Sequence, residues 1–256
     1  MLVSDFDIRY SATLCFLTSD LCLLLTDHLG GIMTDTKITA AEMAQYIDHT
    51  LLKPDATRDA LTKLSAEAIS YGFKAVCVNS GQVEYIAGKL QGSDVAVCTV
   101  VGFPLGAMQM RAKAFEAENA VGEGAGELDM VLNIGALKSG DLKTVEADIA
   151  AVRQAAQSPT ILKVIIETCL LSEEEKIKAC EIAKNAGADF VKTSTGFSGG
   201  GATVEDVALM REVVGQQMGV KASGGIKDWS TAVAMIEAGA NRIGTSSGIV
   251  IVANAP

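Results

Sequence analysis

The sequence has little of the material from which metal sites, disulfide frameworks and nucleic-acid surfaces are built. Only two of its 256 residues are histidines, so no histidine cluster has the spacing of a zinc site. Its six cysteines include no CxxC pair and are predicted to be thiols of a reducing compartment, the cytoplasm. The formal net charge is −10 without a basic cluster, which argues against nucleic acid or an anionic membrane as a partner. We therefore expect no bound metal and a small-molecule partner, which can still be an anion held by a local site.

Long apolar runs are also scarce. The stretch from Leu14 to Leu25 is interrupted by Asp20 and is too short to span a bilayer. Asp5 and Asp7 do not fit the basic start of a secretory signal. We predict that residues 1–32 are a non-native or upstream-translated extension and that residues 33–256, beginning at Met33, form one domain. The alternative is that residues 1–32 are an interaction segment.

The chain does contain a regular alternation of short apolar runs with stretches of helical spacing. Eight runs have the character of buried strands: Asp48–Leu52, Ala75–Asn79, Val95–Val101, Glu127–Gly135, Leu162–Thr168, Phe190–Gly196, Val220–Ile226 and Arg242–Gly248. Strands separated by helices form parallel sheets through right-handed crossovers. Eight such units in a chain of this length, close to the ~250 residues typical of the fold, predict an α/β protein with a single TIM (β/α)8 barrel.

Helix boundary signals agree with this prediction. Ser172 and Glu175 have the spacing of a capping box, and Thr203 can cap the next helix, with Asp206 in a weaker version of the same role. Glycines at 72, 187 and 239 follow helical stretches, where a left-handed residue is needed to end a helix.

Ionisable residues inside the predicted strands indicate where chemistry takes place. Lys163, Lys192 and Lys221 lie in three consecutive runs, and Asp129 lies in the run before them. A buried lysine is costly unless it has a partner or a task. Neighbouring strands would bring Lys192 and Lys221 together, and repulsion between two ammonium groups would lower the pKa of one of them. A neutral amine can attack a carbonyl carbon, with Asp129 and Lys163 supporting proton transfer.

Glycine-rich segments follow the last two predicted strands. Ser223–Ile226 and Gly244–Gly248 stand where TIM barrels often bind phosphate, because backbone N–H groups can approach an anion there. The glycines at 199–201, after the sixth strand, can add to this site. Together these segments predict a phosphate-bearing ligand.

Several segments in register resemble the deoxyribose-phosphate aldolase family of Schiff-base enzymes. They include Ile47–Pro54, Ala75–Asn79, Gly102–Gly106, Glu127–Val131, Leu162–Thr168, Val191–Phe197 and Lys221–Ile226. The resemblance covers about Ile47 to Val250. It implies reversible cleavage of 2-deoxy-D-ribose 5-phosphate to D-glyceraldehyde 3-phosphate and acetaldehyde in deoxyribonucleoside catabolism. It also implies that no cofactor is required, and that the chain forms a dimer or a larger homo-oligomer.

The resemblance implies a role for each matching residue. Lys192 corresponds to the Schiff-base lysine, Lys221 to the second lysine of proton transfer, Asp129 to the proton-relay aspartate and Lys163 to a supporting lysine. The predicted substrate-binding and phosphate-binding residues are Thr50, Thr195, Gly196, Gly224, Gly225, Gly244, Ser246 and Ser247. Two positions depart from some family members. Phe197 replaces a phosphate-binding lysine, and the last tyrosine is Tyr85, so a C-terminal tyrosine is missing.

Two other interpretations remain open at this level. Barrels that isomerise phosphorylated sugars or bind flavin phosphate share the fold and the phosphate loops, but they do not need adjacent strand lysines. A phosphate-ligand sensor without turnover would not need Asp129, Lys192 and Lys221 together. Among single residues, Glu167 can face the pocket or form an ion pair, and His49 can reach the site or be structural. The cysteines at 77, 98 and 169 are predicted to pack in the core.

Overall fold

Strands and helices alternate throughout residues 38–256, the part of the chain that the computed structural model describes. The eight strands are β1 Ile47–Leu51, β2 Ala75–Val78, β3 Ala96–Val101, β4 Glu127–Val131, β5 Ile161–Ile165, β6 Phe190–Lys192, β7 Gly219–Ser223 and β8 Arg242–Thr245. They form a closed barrel in sequence order, and β8 pairs with β1. Every pairing is parallel, as the alternation with helices predicts.

Helices occupy the connections between the strands. They are α1 Ala40–Ala44, α2 Arg58–Tyr71, α3 Val83–Leu90, α4 Met110–Gly122, α5 Ile134–Lys138, α6 Leu142–Ala155, α7 Glu173–Asn185, α8 Val204–Val214, α9 Trp229–Glu237 and α10 Gly248–Ala253. Short 3₁₀ turns lie at Ser80–Gln82 and Thr168–Leu170. No helix among residues 38–256 is long and apolar enough to cross a membrane. The TIM-barrel prediction is confirmed.

The predicted strands were placed correctly, but all except the third extended too far at their carboxyl ends. The run Glu127–Gly135 ends as a strand at Val131, because Asn133 accepts a hydrogen bond from the amide of Ala136 and starts α5. The run Phe190–Gly196 ends at Lys192 and continues as a loop. Apolar content alone cannot separate a strand from the loop after it, since active-site loops of this fold also run over buried surface. The prediction about residues 1–32 lies outside the described residues and stays a prediction.

The predicted helix boundaries are confirmed. Ser172 and Glu175 form a capping box at the start of α7, and the hydroxyl of Thr203 accepts from the amide of Asp206 at the start of α8. Asp206 itself does not cap, because its carboxylate pairs with Lys176 at 2.6 Å. The three glycines predicted to end helices, Gly72, Gly187 and Gly239, all have a positive φ, of 65°, 82° and 113°.

The strands present different residues to their two faces. The outward face packs against the helices and is apolar, with Val76, Leu128, Val164, Val191, Val220 and Ile243 among its members. On the inward face, β2 and β3 contribute a small apolar cluster that includes Cys77, Cys98 and Val100. Ionisable side chains occupy much of the remaining interior. The interior of the barrel is therefore where the chemistry has to be sought.

Candidate active site

The four predicted catalytic residues meet inside the barrel. In the strand register, Lys192 lies beside Lys221, and Asp129 lies beside Lys163. One oxygen of Asp129, Oδ2, is 2.8 Å from Lys192 Nζ and 2.6 Å from Lys221 Nζ. The other, Oδ1, is 2.8 Å from Lys163 Nζ. A single buried carboxylate thus holds three ammonium groups.

Three further buried charges continue this cluster across the barrel, and the sequence reasoning did not assign them to it. Glu127 Oε2 is 2.6 Å from Lys163 Nζ and 2.8 Å from Arg242 Nη2. Arg242 also binds Asp48, with its Nε 2.7 Å from Oδ1, and Asp48 accepts a second bond from Lys221. Asp48 is the first residue of the first predicted strand. Its pairing depends on closure of β8 onto β1, which only the assembled barrel provides.

The cluster holds four cationic side chains and three carboxylates, so it carries one positive charge more than negative when all groups are ionised. Lys163 and Lys221 each contact two carboxylates, whereas Lys192 contacts only Asp129. Of the three lysines, Lys192 therefore has the fewest carboxylates in contact with its ammonium group.

The pKa of Lys221 is set mainly by burial and by neighbouring carboxylates, and not by repulsion from Lys192. Burial acts to lower the pKa of Lys221, but the negative charges of Asp129 and Asp48 outweigh it and raise that pKa. The same competition raises the pKa of Lys163, where burial is opposed chiefly by Asp129. Burial raises the pKa of Asp129, and the three lysines reverse this and hold it well below its usual range. Lys192 and Lys221 lie side by side as expected, with Asp129 Oδ2 in contact with both ammonium groups. The pKa lowering expected from their mutual repulsion does not occur at Lys221, because the carboxylates outweigh it.

A cavity of about 400 Å³ opens above Lys192 at the carboxyl ends of the strands. Of the three clustered lysines, Lys192 alone is among its lining residues. All eight predicted binding residues line this cavity: Thr50, Thr195, Gly196, Gly224, Gly225, Gly244, Ser246 and Ser247. The structure therefore brings the predicted phosphate loops and the predicted nucleophile to one space.

Two lysines outside the predicted binding set also line the cavity. Lys53 follows β1 and Lys227 follows the glycine pair after β7, and both are exposed. They bring positive charge to the rim of the cavity near Phe197. Phe197 lines the cavity and packs edge-on against Phe103, with ring centroids 5.1 Å apart. The position of Lys227 directly after the predicted phosphate loop was a usable signal.

Glycine is required at two points of the cavity wall. Gly224 has φ of +87°, and a Cβ there would lie 2.9 Å from the Cα of Gly201. Gly244 would place a Cβ 3.0 Å from both Lys221 Cε and Ser223 Cβ. A side chain at either point would displace the cavity wall or Lys221, so glycine is what allows the backbone to pass this close.

The structure also decides several of the open single-residue interpretations. His49 points out of the barrel, packs against Phe73 and has its Nε2 2.9 Å from Glu67 Oε2, so it is structural. Cys77 and Cys98 are buried, as predicted. Cys169 is exposed, so its predicted core position is wrong, because it lies in the 3₁₀ turn after β5 and not in the strand.

Two groups of described residues have metal-ligand spacing, Cys77–Cys98–Asp129 and Asp48–Cys98–Glu127. Both lie inside the charged cluster. Their carboxylates already accept hydrogen bonds from lysine or arginine side chains. A metal ion there would have to displace a cation from each carboxylate and enter a region of net positive charge, so neither group fits a metal site well.

Comparison with known proteins supports one family. A family model described as DeoC/LacD family aldolase matches residues 42–253. The deoxyribose-phosphate aldolase of Brevibacillus brevis is 64% identical over 213 residues, covering 83% of this chain and 96% of the relative. That of Streptococcus sanguinis is 60% identical over 210 residues, covering 82% and 95%.

Solved structures agree. The tetrameric deoxyribose phosphate aldolase of Aeropyrum pernix superposes with a TM-score of 0.79 at 34% identity, covering 84% of this chain and 91% of that one. The aldolase QR15 superposes with a TM-score of 0.79 at 44% identity, covering 83% and 95%. With a family model that spans nearly all of the described residues and relatives of this similarity, the chain belongs to the DeoC/LacD family of aldolases.

Proposed function

We propose that this chain cleaves 2-deoxy-D-ribose 5-phosphate reversibly to D-glyceraldehyde 3-phosphate and acetaldehyde, through a Schiff base on Lys192, as a step in deoxyribonucleoside catabolism. The observation that carries the proposal is the shared carboxylate. Asp129 holds three lysines, and of these three Lys192 is the one that lines the cavity. The high identity to deoxyribose-phosphate aldolases supports the choice of substrate.

Schiff-base formation begins when the Lys192 amine attacks C1 of the open-chain sugar. The amine must lose a proton to expose its lone pair, and Asp129 Oδ2, 2.8 Å from Nζ, is placed to accept it. The carbinolamine then loses its hydroxyl as water, and this departure needs a proton. Lys221 can supply that proton through Asp129 Oδ2, from which its Nζ lies 2.6 Å away. The product is an iminium ion between C1 and Nζ.

Carbon–carbon cleavage follows from the iminium. A base removes the proton of the C3 hydroxyl, the C2–C3 bond breaks, and its electron pair forms an enamine between C2 and C1. C3 becomes the aldehyde carbon of glyceraldehyde 3-phosphate, which leaves. Protonation of C2 and hydrolysis of the iminium release acetaldehyde and regenerate Lys192. In our proposal the Asp129–Lys221 pair moves protons in both halves of the reaction, with Lys163 fixing Asp129 from the other side.

The phosphate of the substrate is proposed to lie at the opposite end of the cavity. Gly224, Gly225, Ser246 and Ser247 offer backbone and hydroxyl donors there, and Lys227 offers a charge. Thr50, Thr195, Gly196 and Gly244 complete the proposed binding set. In this proposal the substrate extends from these loops, which hold its phosphate, to Lys192, which meets its carbonyl carbon.

Assembly and location also belong to the proposal. We propose a homo-oligomer, which the tetrameric Aeropyrum pernix relative supports, and a cytoplasmic location, which the free thiols of Cys77, Cys98, Cys169 and Cys180 support. Light scattering coupled to size-exclusion chromatography measures the first. A monomer at micromolar concentration would contradict it.

The test of the function is product identity. The purified chain is incubated with 2-deoxy-D-ribose 5-phosphate, and both aldehydes are measured with coupled dehydrogenases. We expect equimolar acetaldehyde and glyceraldehyde 3-phosphate, with no product from the Lys192→Met variant. An isomerised sugar phosphate without acetaldehyde would favour the isomerase alternative, and binding without any product would favour the sensor.

A further inference from the structure

Glu167 has a backbone conformation unlike that of any other non-glycine residue among residues 38–256. Its φ is 55° and its ψ is 66°, in the left-handed region. It lies directly after β5, between Ile166 and the 3₁₀ turn Thr168–Leu170. A residue with a side chain remains in this region only where its surroundings require it. The requirement therefore has to be sought in the contacts of its side chain.

The Glu167 carboxylate binds one short segment of the chain. It accepts hydrogen bonds from the hydroxyl of Thr195 at 2.5 Å, from the amide of Thr195 at 3.2 Å and from the hydroxyl of Ser198 at 3.0 Å. The side chain is 1% exposed and forms no ion pair with any described residue. Neither of the two earlier interpretations of Glu167 is right, because it neither lines the cavity nor pairs with a cation. A buried carboxylate without a cation depends on these donors.

The segment that Glu167 holds forms one wall of the cavity. Thr195, Gly196 and Phe197 line it, and the Thr195 hydroxyl also accepts from the amide of Phe197 at 3.0 Å. The opposite end of the same loop is fixed by Ala202, whose amide donates to the carbonyl of Gly224 at 3.0 Å. Between these points the loop carries two exposed glycines, and Phe197 adds an edge-on contact with Phe103.

Lys192 is anchored differently. It is the last residue of β6, and its carbonyl accepts from the amide of Ile166 at 3.0 Å within the sheet. Its Nζ is held by Asp129. None of these contacts includes the Glu167 side chain. Loss of the carboxylate should therefore release the cavity wall and leave the nucleophile in place.

We infer that Glu167 is a positioning residue that holds the loop 195–198 against the cavity and so determines how tightly the phosphorylated substrate binds. The inference rests on the proposed function, because it specifies how that substrate is held. The strained backbone directs the carboxylate towards the loop, while the 1% exposure keeps it from contact with the substrate.

The test compares two readouts in Glu167→Gln. The amide of Gln adds a donor next to the donors of Thr195 and Ser198, so the loop should lose its anchor. We expect KM for 2-deoxy-D-ribose 5-phosphate to rise about 10-fold or more, while borohydride trapping of acetaldehyde at Lys192 changes less than about 2-fold. Ser198→Ala removes one donor and should raise KM about 3-fold. Glu174→Gln, the same change at an exposed position of α7, is the matched control.

Two outcomes would overturn the inference. An unchanged KM in both Glu167→Gln and Ser198→Ala overturns the inference. A loss of trapping in proportion to the loss of turnover also overturns it, since Glu167 would then act on Lys192 or on the fold. If Glu167→Gln does not fold, as judged by circular dichroism, the KM of Ser198→Ala decides. A wild-type chain that traps acetaldehyde without cleaving the sugar phosphate contradicts the proposed function instead.

Discussion

Alternate residues of the same barrel strands face outward and inward, and the two faces differ in chemistry. The outward residues are apolar, and many of the inward ones are charged. Facing outward, Leu128, Val191 and Val220 are fully buried against the helices and contribute to the main apolar core. One residue further along, Asp129, Lys192 and Lys221 face inward and are almost as completely buried, with exposures of 0%, 3% and 0%. Burial of the outward residues stabilises the fold, whereas burial of the inward ones costs free energy unless every charge has a partner.

The difference shows why the inner face is assembled as one cluster. Burying an isolated ammonium or carboxylate is strongly unfavourable, and mutual pairing offsets that cost without necessarily adding stability. We therefore infer that the charged cluster serves reactivity, and that the apolar outer core supplies the stability of the fold. Paired substitutions at neighbouring residues separate these two contributions.

The largest effects are expected on β4. Asp129→Asn removes the charge shared by three lysines, so kcat should fall about 10²- to 10⁴-fold and the free energy of unfolding by about 3–5 kcal/mol. Leu128→Ala, its outward neighbour, should lower the free energy of unfolding by about 2–5 kcal/mol through a cavity but leave kcat of the folded protein within about twofold. Urea titrations and steady-state kinetics on both variants measure this. Equal kcat losses would remove the distinction between the faces.

The second prediction concerns Lys221. Lys221→Met leaves Asp48 paired with Arg242 and Asp129 paired with two lysines, so we expect a folded protein whose kcat falls about 10- to 100-fold. Because the pKa of wild-type Lys221 is raised, this lysine stays protonated through neutral pH. The substitution should therefore lower the rate without removing an inflection from the pH profile between about pH 6 and 9. Loss of such an inflection would show that Lys221 titrates in that range.

The third prediction is an acid-dependent loss of stability. Burial raises the pKa of Asp48, but the charges of Lys221 and Arg242 prevail and lower it to about 2. A carboxyl group whose pKa is depressed in the folded state stabilises the protein above its unfolded pKa, and this contribution is lost as pH falls. Asp48 should thus lose about 2–3 kcal/mol of stabilisation between roughly pH 4 and 2.

The Asp48 contribution can be isolated with Asp48→Asn. Its unfolding free energy should be lower at pH 7 and should depend less on pH in the acid range than that of the wild type. Asp141→Asn, at an exposed helix cap, is the comparison for a carboxyl group outside the cluster. Identical acid titrations of the wild type and Asp48→Asn would contradict the depressed pKa.

The smallest expected effect is that of a chelator. The carboxylates with metal-ligand spacing are engaged by cations, and the mechanism assigns every proton transfer to side chains. Dialysis against EDTA should leave kcat/KM within about twofold. Loss of activity that zinc or another divalent ion restores would require a metal in the inner cluster.

The sequence predicts the parts of this molecule that depend on local pattern. Alternation of apolar runs identified the strands, and lysines in three successive runs identified the inner face. Contacts that depend on closure of the sheet could not be predicted from local sequence pattern. Asp48 meets Arg242 because β1 pairs with β8, nearly two hundred residues away, and Glu127 meets Arg242 across the same closed barrel.

The direction of individual side chains was the second feature that could not be predicted from the sequence. His49 and Asp48 are adjacent in β1, but the first points to Glu67 outside the barrel and the second into the cluster. Glu167 looked like a pocket residue or an ion-pair partner because nothing in its sequence indicates a left-handed backbone. Both cases depend on where the strand ends and which face it turns inward, which period-two patterns in short strands do not fix.

The most direct test of the central claim is the site of the Schiff base. The wild-type chain is incubated with acetaldehyde and sodium borohydride, digested and mapped by mass spectrometry, beside Lys221→Met and Lys163→Met. We predict one reductively alkylated lysine, Lys192, in the wild type, and the same site with slower labelling in the two variants. Labelling of Lys221 or Lys163 in the wild type, or labelling that persists in Lys192→Met, would contradict the account.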